Sequence, residues 1–159
     1  MRRLLFIFKL LLKAKFIFKN PPKHELVIFD DTSFQDLKNF IFGFDFFLLQ
    51  DRIQNINKVY LSFKIIKYFF KYYIKYFSKY RNGIIMTAYI SSLLEIVRPK
   101  VVFTKIDNSQ KFFVIAKIFD KRINFVALQN GVRYPKLYKH WYEAKIKNSD
   151  LTKNYYIPN

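Results

Sequence analysis

Four apolar runs in this chain each end in a short polar knot, and that repeated transition is its strongest pattern. They read Val27-Ile28-Phe29-Asp30-Asp31-Thr32-Ser33, Phe46-Phe47-Leu48-Leu49-Gln50-Asp51-Arg52, Val101-Val102-Phe103-Thr104-Lys105-Ile106-Asp107-Asn108-Ser109 and Phe125-Val126-Ala127-Leu128-Gln129-Asn130-Gly131. Short apolar runs closed by turn-forming residues predict buried strands. Most of the knots lead into, or start, a helix or tight turn. Buried strands alternating with helices build a parallel sheet, whose strand C-termini open on one edge. Ligands of open α/β sheets sit in the crevice along that edge. The pattern predicts an α/β fold: a Rossmann-like, mostly parallel sheet of about four strands with flanking helices.

The remaining punctuation sets the element boundaries. Pro21-Pro22 closes the first segment, because neither residue donates a backbone N–H and Asn20 is pushed toward an extended form. A strand follows at 25–30. Thr32-x-x-Gln35 has the form of a capping box, and Asp30 and Asp31 are also favoured at a helix start. The helix is expected to reach Ile41, with Phe34, Leu37, Phe40 and Ile41 inward, before Gly43 ends it and 44–49 forms a second buried strand.

Residues 58–80 carry the clearest helical period. Ile66, Phe69, Phe70, Tyr73, Phe77 and Tyr80 recur at helical spacing and are assigned the buried face. Lys64, Lys67, Lys71, Lys75 and Lys79 take the opposite face, flanked by Tyr68 and Tyr72. After Arg81-Asn82-Gly83 a helix is predicted at 84–97, with Ile85, Ala88, Tyr89, Ser92, Leu93 and Ile96 in register. Pro99 closes it. A third strand is expected at 100–106, a helix capped by Asp107-Asn108-Ser109 at 109–119, and a fourth strand at 123–128. From 132 the chain is polar and weakly patterned, with a short helix across Leu137–Lys147.

Size and charge narrow the classes. A chain of 159 residues is one domain that buries roughly 70% of its unfolded surface. Its formal charge of +18, from 29 Lys+Arg against 11 Asp+Glu, predicts attraction to nucleic acid, an anionic membrane face or phosphorylated ligands. Lys, Asn, Ile, Phe and Tyr all have A/T-rich codons, so base composition accounts for part of that excess. Without cysteine, disulfides and thiolate metal sites are excluded. His24 and His140 are far apart in sequence, which argues against a histidine metal site, although carboxylates can hold Mg²⁺ together with substrate phosphates.

Residues 1–23 contain seven basic side chains and no acid. Arg2-Arg3 followed by Leu4-Leu5-Phe6-Ile7-Phe8 imitates a signal sequence, but Lys9, Lys13 and Lys15 interrupt it and no small-residue cleavage site follows. With no uncharged run approaching the ~20 residues of a spanning helix, 1–23 reads as a basic, apolar, membrane-proximal segment. Residues 24–135 are expected to form the α/β lobe, and 136–159 a polar C-terminal segment that looks truncated. The lysine row at 64–79 is read either as a solvated helix face or as a docking face for anionic lipid, at about 1 kcal/mol per lysine.

The chemistry in the knots is polar rather than nucleophilic. Asp30 and Asp31 resemble the acidic sites of receiver domains and haloacid-dehalogenase-type phosphatases, but the downstream partners of both are missing, and helix capping explains the pair. Capping also accounts for Asp107-Asn108-Ser109, and Gln129-Asn130-Gly131 reads as a turn. Together, however, Asp107, Asn108, Gln129, Asn130 and Arg133 leave neighbouring strand ends, a donor and acceptor set suited to hydroxylated or phosphorylated ligands. No Ser-His-Asp set, G-x-x-x-x-G-K-[ST] loop or G-x-G-x-x-G loop is present, so no nucleophilic or phosphate-cradling motif is visible.

The stretches Arg98–Asn108 and Phe125–Arg133, with Lys19-Asn20-Pro21 and Val27-Ile28-Phe29-Asp30, resemble the N-terminal half of bacterial surface-carbohydrate biosynthesis transferases of lipopolysaccharide and capsule, over most of residues 10–135. Those enzymes are similar to two-lobed GT-B glycosyltransferases and to the glycerophosphotransferases of wall polymers. The resemblance implies an acceptor-side lobe, and the basic 1–23 segment and the lysine row of 64–79 lead it to be expected at the inner face of the cytoplasmic membrane. Asp107, Asn108, Gln129, Asn130, Gly131 and Arg133 would meet a lipid-linked or glycan acceptor, with Asp30 and Asp31 as secondary candidates. It implies no cofactor in this chain and a nucleotide-activated donor in a second lobe, supplied by a partner domain or protein. The family continues past the point where this chain stops, which puts activity of the lobe alone in question. The alternatives are a basic nucleic-acid-binding module using the Lys/Tyr helix, disfavoured because core packing explains the aromatic stripe, and a non-catalytic membrane-associated remnant.

Overall fold

The computed structural model describes residues 14–39, 41, 43–51, 55–77, 83–106 and 109–128. In chain order these form β1 (Lys15–Ile17), β2 (Leu26–Ile28), α1 (Asp31–Leu37), β3 (Phe46–Leu48), β4 (Lys58–Tyr60), α2 (Phe63–Phe77), α3 (Ile84–Val97), β5 (Val101–Thr104), α4 (Gln110–Phe119) and β6 (Asn124–Ala127). Four strands make one sheet in the order β3-β2-β5-β6, and every pairing is parallel. The fold is therefore Rossmann-like α/β, as the alternating pattern predicts.

The register explains why the strands read as continuous apolar runs. Successive strand side chains point to opposite faces, yet Val27, Ile28 and Phe29 are all buried. Val27 and Phe29 join the main core, so Ile28 lies on the other face and is covered there too. Phe112 of α4 meets Phe29 and Phe125 edge-on, with ring centroids 5.1 and 5.4 Å apart. These contacts seat α4 across β2 and β6.

Two strands depart from the expectations. Lys58–Tyr60 forms β4 instead of the first turn of a helix, and it pairs in parallel with β1. The backbone bonds Lys15 N–H to Asn57 O and Leu61 N–H to Ile17 O extend that pair. Part of the 1–23 segment is thus a strand. Residues 1–13, the polar segment 136–159 and the helix expected across Leu137–Lys147 lie outside the described residues.

The buried face of α2 also differs from the predicted one. Ile65, Tyr72 and Tyr76 are buried, whereas Ile66, Phe70 and Phe77 are exposed and Phe69 and Tyr73 only half-buried. Tyrosine wins the inner positions because α3 offers each hydroxyl a partner. Tyr76 Oη lies 3.0 Å from Ser91 Oγ, and Tyr72 donates to Glu95. Tyr80 lies outside the described residues.

Candidate functional site at the strand-end edge

The chain runs from β2 to β3 on one side, then crosses through β4, α2 and α3 to β5 on the other. The topological switch point therefore lies between the C-terminal ends of β2 and β5, where ligands of doubly wound sheets bind. Three polar side chains meet there. Asp30, Ser33 and Thr104 have no solvent exposure.

Asp30 is the N-cap of α1, with an extended backbone (φ −160°, ψ 159°). Its Oδ1 accepts from Ser33 N–H at 2.7 Å, and its Oδ2 accepts from Ser33 Oγ at 2.9 Å and Thr104 Oγ1 at 3.2 Å. The two hydroxyl oxygens sit 3.3 Å apart. With their protons directed at Asp30, their lone pairs take the backbone donors of the β5 exit: Lys105 N–H reaches Ser33 Oγ at 2.9 Å, and Ile106 N–H reaches Thr104 Oγ1 at 3.0 Å. This fixes the angle at which the chain leaves β5.

The cap differs from the expected capping box. Asp30 and Ser33 supply it, while Thr32 is exposed. Asp30, a secondary ligand candidate, faces inward with its carboxylate committed to three protein donors. Asp31 occupies the first turn of α1, half-buried, with Oδ1 shielded and lacking a hydrogen-bond partner.

The edge continues on both sides of the switch point. Beyond β3, Lys111 Nζ of α4 donates to the backbone oxygen of Asp51 at 2.9 Å and contacts its Oδ2 at 3.3 Å. Sequence reading did not single out Lys111, whose only signal is a basic residue in the first turn of a helix, where the dipole disfavours it. Beyond β5 and β6, Leu128 N–H bonds to Thr104 O at 2.8 Å, so the two strands end side by side. Ser109 is the observed N-cap of α4, accepting from Phe112 N–H at 3.3 Å. Asp107, Asn108, Gln129, Asn130, Gly131 and Arg133 fall in the segments that leave these two ends. They lie outside the described residues, as does Lys79.

Two further polar assemblies hold the layers together. Burial pushes the Tyr89 phenol up to about 12. Its oxygen accepts from Tyr60 N–H at 2.8 Å and donates to Tyr60 O at 3.3 Å, clamping α3 to β4. A pocket of about 360 Å³ beside this clamp is bordered by His24, Phe47, Gln50, Asn57, Tyr60 and Tyr89. His24 Nδ1 stands 3.0 Å from Asp45 Oδ2. Elsewhere, Glu95 of α3 receives Tyr72 of α2 and the guanidinium of Arg122, beyond α4. Burial opposes ionisation of Glu95, but the bonds from Arg122 and Tyr72 outweigh it and hold the carboxyl below its ordinary range.

Lys64, Lys67, Lys71 and Lys75 are exposed on α2, as expected. Among the described residues, no helix is long and apolar enough to cross a membrane. No protein-family model, curated protein or solved structure matches this chain.

Proposed function

We propose that this chain is the acceptor-side lobe of a glycosyl- or glycerophosphotransferase of bacterial surface-polysaccharide biosynthesis, working at the inner face of the cytoplasmic membrane. One observation carries the reading: β5 and β6 are adjacent parallel strands that end together beside the switch point. The polar stretches 107–109 and 129–133 follow those strand ends in sequence, and an α/β lobe receives ligands along that edge. The Asp30–Ser33–Thr104 network supports the reading as a rigid floor, since it fixes the exit of β5 without spending a ligand-facing group.

In this proposal Asp107, Asn108 and Asn130 hydrogen-bond acceptor hydroxyls, and Arg133 meets an acceptor phosphate. The activated donor belongs to a second lobe. Asp107→Ala and Asn130→Ala should each abolish glycan assembly in cells while circular dichroism and thermal unfolding stay unchanged. Assembly at the parental level in both variants would remove the assignment.

A further inference from the structure

We propose that the outward side of α2 docks on an anionic lipid bilayer, with an apolar row entering the acyl boundary and a lysine row lying at the headgroups. The inference shares its membrane location with the reading above but needs none of its transfer chemistry. At 3.6 residues per turn, Phe63, Ile66, Phe70, Ile74 and Phe77 line up along one stripe of the helix. They are 83, 43, 57, 73 and 64% exposed. Scattered exposed apolar residues are ordinary, but a continuous row of five large ones marks an interaction surface. Lys64, Lys67, Lys71 and Lys75 form the adjoining row, and α2 contains no acid. The third side, Ile65, Tyr72 and Tyr76, is buried in the core, with both tyrosines bonded to α3, and holds the other two outward.

Charge selects the occupant. A second copy of this surface would bring lysine row against lysine row. Residues 1–13 carry Arg2, Arg3, Lys9 and Lys13 and no acid, so that segment meets the same repulsion. Nucleic acid would satisfy the lysines and could stack on the phenylalanines, but it would leave Ile66 and Ile74, interleaved in the same row, in water. An anionic bilayer satisfies both rows at once. At about 22 Å, the 15-residue helix is too short to span the ~30 Å hydrocarbon core and lies along the surface instead.

The test uses the full chain with vesicles of phosphatidylcholine alone or mixed with phosphatidylglycerol. Partitioning onto the mixed vesicles should exceed that onto phosphatidylcholine by at least about tenfold at ~0.15 M salt. Lys64→Gln/Lys67→Gln/Lys75→Gln should lower it by about a hundredfold. Phe63→Ser/Phe70→Ser/Ile74→Ser should remove the binding that survives ~0.5 M salt. All six positions are exposed, and circular dichroism checks the fold. As an independent reading, Phe70→Trp should blue-shift on the mixed vesicles and be quenched by acyl-chain-brominated lipid, relative to the parent with its Trp141. Equal binding to phosphatidylcholine, parental binding by both triple variants, or an unshifted Trp overturns the proposal. So does lipid-free dimerisation abolished by the Phe/Ile variant, which would assign the row to a second copy. Vesicle binding requires neither donor nor acceptor, so its failure is distinct from failure of the transferase reading.

Discussion

Arg122 grips Glu95 with both terminal guanidinium nitrogens, Nη1 to Oε1 and Nη2 to Oε2, each at 3.0 Å. The Tyr72 hydroxyl closes the same carboxylate from α2. One acid thus joins α2, α3 and the turn that feeds β6. Burial pushes the Tyr72 phenol well above its ordinary value, and its bond to Glu95 pushes it further. The bond to Glu95 likewise raises the Arg122 guanidinium. The three groups stabilise each other in the states found at neutral pH.

Glu95→Gln should therefore lower stability by about 1–2 kcal/mol in urea unfolding, because a charge-assisted pair becomes a weaker amide contact. Arg122 is half-exposed, which keeps the loss modest. The folded Glu95 carboxyl lies below its unfolded value near ~4.3, so its contribution is present above that pH and is lost as pH falls through the folded value. Between about pH 6 and pH 3 the parent should lose more stability than Glu95→Gln does. Parallel pH curves for the two proteins would contradict this.

The switch-point network makes a sharper comparison. Asp30→Ala removes an N-cap and strands two buried hydroxyls, and should cost about 2–4 kcal/mol. Thr104→Val keeps the shape but strands Ile106 N–H, and should cost about 1–2 kcal/mol. Thr32→Ala should change stability by less than about 0.5 kcal/mol, since the exposed threonine caps nothing. A Thr32→Ala loss as large as that of Asp30→Ala would restore the capping box read from the sequence.

How much was legible follows from what each residue must do. The four sheet strands and α3 and α4 were readable because buried parallel strands are apolar on both faces and Gly83, Pro99 and Ser109 punctuate them. The Asp30 cap was half-readable: the acid cluster marked a helix start, but Asp30-x-x-Ser33 and Thr32-x-x-Gln35 compete two residues apart. β1 and β4 were not readable. β1 sits inside the basic, lysine-interrupted 1–23 segment, and Lys58-Val59-Tyr60 runs straight into a helical period. The face of α2 was misread for a physical reason. Two of its three sides are aromatic or aliphatic, and spacing cannot say which one meets α3; Ser91 and Glu95 decide, by offering partners that phenylalanine cannot use. The stretches 107–108 and 129–133 lie outside the described residues, so of that edge only the strand ends at Thr104 and Ala127 were legible.

The clamp of α3 on β4 predicts an alkaline limit. Tyr89→Phe should cost about 1–2 kcal/mol, because Tyr60 N–H loses its acceptor in a half-buried site. In the parent, Tyr89 keeps its proton up to about 12, above the ordinary phenol value near ~10. Its contribution is full below the unfolded value and declines as pH rises from about 10 toward 12. The alkaline unfolding midpoint should move less with pH in Tyr89→Phe than in the parent; equal movement would remove the clamp from the account.

Arg98 supplies the last prediction, because it closes α3 in the left-handed region at φ 54° and ψ 54°, with its N–H bonded to Leu94 O. A side chain with a Cβ is strained there by roughly 1 kcal/mol, and glycine is not. Pro99 follows and cannot extend the helix, and the chain leaves α3 toward β5 through this strained turn. Arg98 is exposed, which leaves little packing to lose. Arg98→Gly should therefore stabilise the fold by up to about 1 kcal/mol, with the entropy of an unfolded glycine offsetting part of the gain. Arg98→Val should destabilise it by more than about 1 kcal/mol, since a β-branched residue fits positive φ worst. Urea midpoints that rank the three proteins Gly above Arg above Val support the strained cap, and Val at or above the parent would refute it.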